Sequence, residues 1–530
     1  MTDSFRPAGS FVKKAVTSDG GIVVSQSLTA ARAGAAVLAE GGNAVDAAIA
    51  AGFAVGVLEP WMSGIGGGGY MLVAMAGAKE VQCVEFGMVA PQALDPADYP
   101  LTGGTTQALF DWPAVKGDRN VKGPLSVAVP GYVEGMRAAH EAFATRPWAR
   151  LLEPAIGLAQ TGLPIDWYAM LSIGVAAREL AENAGARRVY LPGGLPPAPA
   201  AAEGPPPRLG LGQLDVTLRR IAKAGAREFY EGETARALVA ELQKLGGKLS
   251  LADLAGYRAR ILPALPIAYR DIEVFAPPGL TAGPTLARSL ALLSEDIEGF
   301  APSAPGPETY RAYASALDRA YRERFQTMGD AGDGAARRDP GNASCTTHLS
   351  VVDRHGNMVA LTQTLLSRFG SKVLLEETGV LLNNGIMWFD PTPGRPNSIA
   401  PGKRPLSNMV PTILRKAGQP WAALGASGGR RILPAVTQVL SFLVDFGMDL
   451  EAAFHCPRLD ASGAGVTLDE RLPAEVAAAI DRSLTVRRGA LDLHPVLFAS
   501  PNAVMRDPAK GRNRGMADIA SPWSGAASEA

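Results

Sequence analysis

Apolar and polar positions divide the chain into three textures. Near the start, GGIVVSQSL is a brief apolar run of the length of a short strand. LTAARAGAAVLAEGG then repeats apolar residues at helical spacing, and Gly41 and Gly42 stand where a helix C-cap needs a left-handed backbone. NAVDAAIAAGFAVGVLEP predicts a second, buried helix closed by Pro60, and SGIGGGGYMLVAM a glycine-rich turn feeding a strand. Residues 191–210, LPGGLPPAPAAAEGPPPRLG, break the pattern: their prolines remove backbone donors and favour an extended surface loop or linker. From about residue 211 to 335 helical patterns return, as in LDVTLRRIAKAGAREFY and ETYRAYASALDRAYRERF. After residue 345 the texture is that of strands, THLSVVD, MVALTQTLL and GVLLNN, rich in Val, Leu and Thr.

Composition narrows the class. The 530 residues have room for two or three ordinary domains or one large α/β body. With 47% hydrophobic and 19% charged residues, the chain reads as a packed globular enzyme rather than a disordered one. Lys plus Arg equal Asp plus Glu at 51 each, which gives no reason to expect nucleic acid or an anionic membrane as partner. MTDSFRPAGSFVKKAVTSDGG holds no apolar core of a signal peptide, and no run of about eighteen apolar residues occurs. A cytoplasmic protein without a membrane span is therefore expected. Cys83, Cys345 and Cys456 are far apart and odd in number, which fits neither a CxxC metal pattern nor a disulfide framework. His140, His355, His455 and His494 show no metal spacing.

The chemistry concentrates at Cys345-Thr346-Thr347-His348-Leu349-Ser350-Val351-Val352-Asp353, which follows the polar stretch DGAARRDPGNAS. Thr346 thus stands at the step from loop into strand. A hydroxyl there is ordinarily structural, but its company changes the reading. TTHLSVVDRHGNMVALTQT, FGS, TGVLLNN, FDP, PGKRPLSNMVPT and LGASGG together resemble, in order, the small subunit of the γ-glutamyltransferase family. Upstream, AARAGAAVLAEGGNAVDAAIAAGFAVGVLEPWMSGIGGGGYM, VAVPGYVEGMRAAHEAF, LLEPAIGLAQTGLPI, FYEGETA and GGKLSLADLAGYRA resemble that family's large subunit. The resemblance runs from about residue 20 to 460, broken mainly by the Pro-rich insert.

That resemblance implies an α/β fold, the four-layer αββα sandwich of the N-terminal-nucleophile hydrolases. Residues 1–345 would form the large-subunit region and 346–530 the small-subunit region of one interwoven body. It implies self-cleavage between Cys345 and Thr346, with both fragments staying associated. The freed α-amine, with a pKa near ~8, would serve as base for a hydroxyl that is otherwise a poor nucleophile. Thr364 would orient the Thr346 hydroxyl, and the backbone N–H groups of Gly428 and Gly429 would form the oxyanion hole, glycine allowing close approach to the carbonyl. No metal or organic cofactor is implied. His348, on the same strand face as Thr346, is expected to pack or hydrogen-bond locally. Cys345 would become the end of the large fragment.

The family's binding positions for a γ-glutamyl zwitterion are another matter. Where the family has the arginine of FRExAP, this chain has Gly87, in EFGMVAP. The family asparagine two residues after the second threonine is Leu366. The glutamine and aspartate of LNNQMDDF are replaced by Gly385 and Trp388, and PLSS becomes Ser407 followed by Asn408. Four such positions are apolar or small while the chemical residues remain, which points to retained chemistry on a different acyl group. TPGRPNSIA, joining FDP to PGKRP, is short and predicts an open cleft; Arg368 and Arg430, near the catalytic elements, are carboxylate contacts or structural arginines.

The leading expectation is an amidohydrolase or acylase acting on a small-molecule amide. A true γ-glutamyl transpeptidase or glutathione hydrolase with a rebuilt clamp is the alternative. An inert homologue acting as a binding protein is the alternative of another class. A homo-oligomer of processed heterodimers is one assembly left open.

Overall fold

The computed structural model describes residues 12–105, 112–200, 204–296, 304–329, 345–463, 465–480, 482–492, 496–507 and 509–529. The first two predicted helices form Leu28–Ala39 and Ala44–Leu58. Gly41 takes φ +83° and, with Gly42, returns N–H groups to Leu38 and Val37, closing the first helix. Gly42 itself is not left-handed. It is a glycine because an added Cβ would lie 2.7 Å from Val37 Cγ1 and 2.9 Å from the Val37 carbonyl. The second helix starts in a capping box of Asn43 and Asp46, and almost all of its residues are buried, as its uniform apolarity demands.

Two seven-stranded sheets lie at the centre. The first runs, side by side, Gly525–Ser528, Ile22–Ser25, Cys345–Val352, Met358–Leu366, Gly68–Ala74, Gln82–Phe86 and Arg260–Pro263. The second runs Val16–Ser18, Arg512–Ala517, Ser500–Asp507, Gln419–Ser427, Thr412–Lys416, Ile272–Ala276 and Leu265–Tyr269. The described ladders within both sheets are antiparallel.

Three hydrophobic layers hold this stack. Met71, Val351, Val359 and Leu361 of the first sheet pack against Ala47 and Phe53 of the buried helix. Val24, Leu72, Ala360, Ile413, Ala423 and Val504 fill the space between the sheets. Leu414 and Leu424 of the second sheet pack on Leu286, Tyr313 and Val436 from the helices Gly283–Asp296, Pro307–Thr327 and Ile432–Val444. Odd-numbered residues of Met358–Leu366 thus face helices and even-numbered ones the sister sheet, so both faces are buried and the strand is apolar except at Thr362, Gln363 and Thr364. The result is the αββα sandwich that the sequence implied.

Three sequence expectations need correction. Residues 260–276 lie inside a segment read as helical but form three strands. GVLLNN makes only isolated bridges, Leu374 with Leu381 and Leu382 with Gly66, because its backbone turns to meet the glycine-rich segment instead of a ladder. The Pro-rich insert is exposed at Leu195, yet its end is anchored: Leu209 pairs with Leu163, and Leu209 and Leu211 are buried.

Candidate active site

Thr346 enters the strand at an irregularity. Cys345 is opposite Leu366 and Thr347 opposite Gln363, so Thr346 alone faces two residues, Thr364 and Leu365, across a β-bulge. Leu366 takes φ +89°, rare for a side chain of its size, and its N–H donates to Thr364 Oγ1 at 2.8 Å. That bond uses the Thr364 hydroxyl oxygen as an acceptor. Thr347 accepts from Ser63 Oγ at 3.1 Å on the helix side of the sheet, and Gln363 donates to the Gly52 carbonyl on the same side. Alternation then carries their neighbours Thr346 and Thr364 to the face between the sheets. Thr346 is buried, at 4% exposure. The side chain of Cys345 and the stretch DGAARRDPGNAS lie outside the described residues.

The glycine-rich turn presses on this bulge. An added Cβ would lie 2.2 Å from the Thr364 carbonyl at Gly67 and 2.2 Å from the Thr362 carbonyl at Gly69. Met62 accepts from the Leu365 N–H at 3.0 Å. Only glycine allows a backbone this close to the strand that carries Thr364.

His348 belongs to the same face but not to the chemistry. It is fully buried, with Nδ1 2.8 Å from Thr362 Oγ1 and Nε2 3.0 Å from Ser350 Oγ. Burial pushes its imidazole down to about 3, so it is neutral near pH 7, as its expected local packing role requires. Its ring lies against Gly425 of the second sheet, where an added Cβ would come within 2.3 Å. That contact sets the register between the sheets: two residues back from His348 is Thr346, and three residues on from Gly425 is Gly428. Gln26, next to the Thr346 strand, donates to Ser427 at the same level. Gly428 has φ +139° and Gly429 φ +60°, conformations at this strand end that favour glycine. A Cβ at Gly428 would meet Ala499 at 2.9 Å.

Beyond the glycine pair opens a cleft of about 520 Å³, counting its mouth. Trp112, Phe325, Trp388 and Leu406 give it apolar walls, and Asp390, Arg395, Asn408 and Arg430 are its polar and charged lining beside Asn397. The Arg430 guanidinium lies over the Phe325 ring at 4.8 Å and the Trp112 ring at 5.8 Å. The short loop after Phe389 forms one wall: Asn397 donates to the Trp388 carbonyl at 2.7 Å and accepts from the Leu406 N–H.

The structure therefore brings Trp388 and Asn408 into this cleft. Gly87, Leu366, Gly385 and Ser407 are buried and are not among the residues that line it. Gly87 accepts from Tyr257 at 2.6 Å and lies beneath Tyr70, whose hydroxyl would be 3.0 Å from an added Cβ. At Gly385 a Cβ would meet Ala128 at 2.7 Å and the Met88 sulfur at 2.8 Å, so these two residues occupy a glutamine's space. Leu366, Met88, Trp388 and Ala128 belong to one apolar cluster between the sheets. Arg368 is absent from the residues lining the cleft.

Sequence reasoning missed four contributors. Met88 was legible, since it follows Gly87 in EFGMVAP and is apolar in its turn. Trp112 and Phe325 carry no local signal, because chain regions far apart in sequence supply them. Arg324 is a buried cation that donates to the Thr281 carbonyl at 2.6 Å, Ser407 carbonyl at 2.5 Å and Asn408 Oδ1 at 3.4 Å. It holds the Ser407–Asn408 turn through uncharged oxygens, and burial pushes its guanidinium down to about 10.

A threonine-bearing strand inside an αββα sandwich has the architecture of the N-terminal-nucleophile hydrolases. Comparison with known proteins agrees. The family model described as Gamma-glutamyltranspeptidase matches residues 30–339 and 333–528. The Acylase ACY 1 proenzyme of Pseudomonas sp. (strain V22) is 34% identical over 500 residues, 88% of this chain and 87% of that protein. The Glutathione hydrolase proenzyme of Bacillus subtilis (strain 168) is 29% identical over 553 residues, 94% of this chain and 90% of its own. Among solved structures, cephalosporin acylase from Bacillus halodurans superposes with a TM-score of 0.84 at 25% identity, covering 100% of this chain and 99% of that one. The chain belongs to the γ-glutamyltranspeptidase family and is an enzyme of that family.

Proposed function

We propose that the chain is a self-processing acylase that cleaves itself before Thr346 and hydrolyses small-molecule amides whose acyl part is not γ-glutamyl. The Thr346 α-amine takes the hydroxyl proton as Oγ1 attacks the amide carbonyl. Thr364 donates a hydrogen bond to that Oγ1 and orients it, and the Gly428 and Gly429 N–H groups bind the developing oxyanion. The ammonium so formed protonates the departing amine. Water then attacks the Thr346 ester and releases the acid, restoring the hydroxyl.

The observation that carries the acyl preference is the filling of the Gly385 site by Met88 and Ala128, beside Gly87 and Trp388. An α-ammonium placed in the Gly385 site itself would lose its water among apolar groups; the carboxylate of the neighbouring cleft, Asp390, already accepts from the Thr392 N–H. The cleft walls of Trp112, Phe325 and Trp388 suit an apolar acyl chain or ring. The relatives named acylases fit this reading better than those named glutathione hydrolases, for which Gly87 supplies no guanidinium.

The test compares p-nitroanilides of γ-glutamate with those of phenylacetate and hexanoate, using cleaved enzyme. Turnover of the apolar acyl compounds at least tenfold faster supports the proposal. Preference for the γ-glutamyl anilide would overturn it and favour a rebuilt clamp. No turnover of any anilide, together with an uncut chain, would favour the inert homologue.

A further inference from the structure

On the helix-covered face of the Thr346 sheet, the strands Cys345–Val352 and Met358–Leu366 are apolar at Leu349, Val351, Val359, Leu361 and Leu365. Thr347 and Gln363 interrupt that layer, and they are the first ladder pair beyond the bulge. Ser63, from the turn after the helix Ala44–Leu58, joins them. Its hydroxyl accepts from Gln363 Nε2 and donates to Thr347 Oγ1, each at 3.1 Å. Gln363 Nε2 also donates to the Gly52 carbonyl at 3.0 Å, and the Tyr132 hydroxyl is hydrogen-bonded to the Gln363 side chain. With both amide hydrogens in use, Oε1 is the atom left to accept from Tyr132. The chain of bonds therefore runs in one direction, from Tyr132 through Gln363 and Ser63 to Thr347. All four side chains are buried. The helix admits them by placing glycine at position 52, where an added Cβ would lie 2.8 Å from the Tyr132 hydroxyl and 3.0 Å from Gln363 Oε1.

A buried polar chain in an apolar layer adds little net stability over well-packed hydrophobic side chains, but it accepts only one alignment of its members. Alignment is what a bulge leaves open. Thr346 faces two residues, and a slip by one residue there would turn every side chain of the strand to the other face. We infer that Ser63 is a positioning residue for the Thr346–Thr364 pair: by bridging Thr347 to Gln363 it fixes the alignment of the two strands one residue from both hydroxyls. Ser63 lies on the opposite face of the sheet and acts only through the strands it ties. The inference rests on the reading of Thr346 as the nucleophile, and not on which acyl group is cleaved.

The experiment follows self-cleavage of freshly synthesised full-length chain, kcat and KM on the anilide turned over fastest, and melting temperature. The variants are Ser63→Ala, Thr347→Val, the two combined, and Thr347→Ser. Ser63→Ala is expected to slow cleavage and lower kcat about tenfold, with KM within about twofold of wild type. Thr347→Val, which keeps the shape and loses the hydroxyl, should do the same, while Thr347→Ser should stay near wild type. Because both single variants break one link, the combined variant should be no slower than either. Ser63→Ala that cuts and turns over at the wild-type rate would overturn the inference. So would losses that multiply in full, or Thr347→Ser as slow as Thr347→Val, since packing rather than the hydroxyl would then be at work. If Ser63→Ala does not fold, Thr347→Val against Thr347→Ser carries the same decision. A wild-type chain never cut before Thr346 would overturn the inference together with the nucleophile assignment, and the N-terminus of the smaller band tells that case from the others.

Discussion

As the proposed nucleophile, Thr346 would have to be held rigidly, and a bulge at a strand entrance does so. The ladder fixes its neighbours Cys345 and Thr347, while Thr346 faces the widened gap between Thr364 and Leu365. Thr346→Ala is therefore expected to leave the 55.2 kDa chain uncut and to lower amidase activity on the order of 10⁴-fold or more. Thr346→Ser should still cut. A denaturing gel with N-terminal sequencing of the smaller band decides it; a band beginning anywhere but at residue 346 moves the nucleophile elsewhere. His348, two residues on, makes a pH prediction of the opposite kind. Its folded-state value is depressed from 6.5 to about 3, so the unfolded chain takes up a proton below 6.5 that the native state refuses. Its contribution to stability is complete above pH 6.5 and is lost as pH falls toward 3, by up to about 1.4 kcal/mol per pH unit. Urea unfolding of the wild type and His348→Gln at pH 7, 5.5 and 4.5 should show the gap between them narrowing toward acid. Parallel curves would mean that the imidazole is not buried neutral.

Among the elements, the glycine-rich turn is the one whose local geometry reaches the bulge directly. A methyl at Gly67 has to displace the Thr364 carbonyl, 2.2 Å away, or move the turn off the strand. Gly67→Ala should cost about 1–3 kcal/mol of stability and slow appearance of the cleaved fragments several-fold. Gly64→Ala, where the nearest atom would be 3.8 Å away, should do neither. Melting temperatures and gel time courses of the two variants make the comparison, and equal behaviour would show that the turn does not position Thr364. How visible such elements were in the sequence follows from where their constraints come from. The helices Leu28–Ala39 and Ala44–Leu58 carry their caps and spacing locally and were legible. The strands Arg260–Pro263 and Leu265–Tyr269 were hidden by Pro263 and Pro266, which argue against a central strand; they are tolerated because both strands lie at sheet edges. The bulge was invisible, since register is a property of two strands. The apolar replacements at Gly87, Leu366, Gly385 and Trp388 could be read one by one, but not that Met88 and Ala128 close the space they leave.

For the molecule as a whole, the two regions flanking Thr346 share their sheets. The strand Cys345–Val352 pairs with Ile22–Ser25, and Met358–Leu366 with Gly68–Ala74. Ile22–Ser25 also pairs with Gly525–Ser528, Ile272–Ala276 with Thr412–Lys416, and Val16–Ser18 with Arg512–Ala517. Lys13 adds a clasp: its ammonium donates to the carbonyls of Asp518 at 2.7 Å, Ser521 at 2.5 Å and Ser524 at 2.8 Å, and to Ser524 Oγ at 2.8 Å. Cutting one peptide bond before Thr346 removes none of these contacts, and every one of them joins residues below 346 to residues above it. Separating the fragments would expose sheet edges and both faces of each sheet at once, which amounts to unfolding. Cleaved protein should accordingly elute from a sizing column at the position of the uncut chain or its oligomer, while a denaturing gel shows two bands. The fragments should part only at urea concentrations that also abolish the folded circular-dichroism signal. Residues 346–530 expressed alone should be insoluble or unfolded, because the strand carrying Thr346 would lack its Ile22–Ser25 neighbour and the buried helix beneath it. Fragments that separate on a sizing column without denaturant would contradict the shared-sheet architecture itself, whatever the identity of the nucleophile.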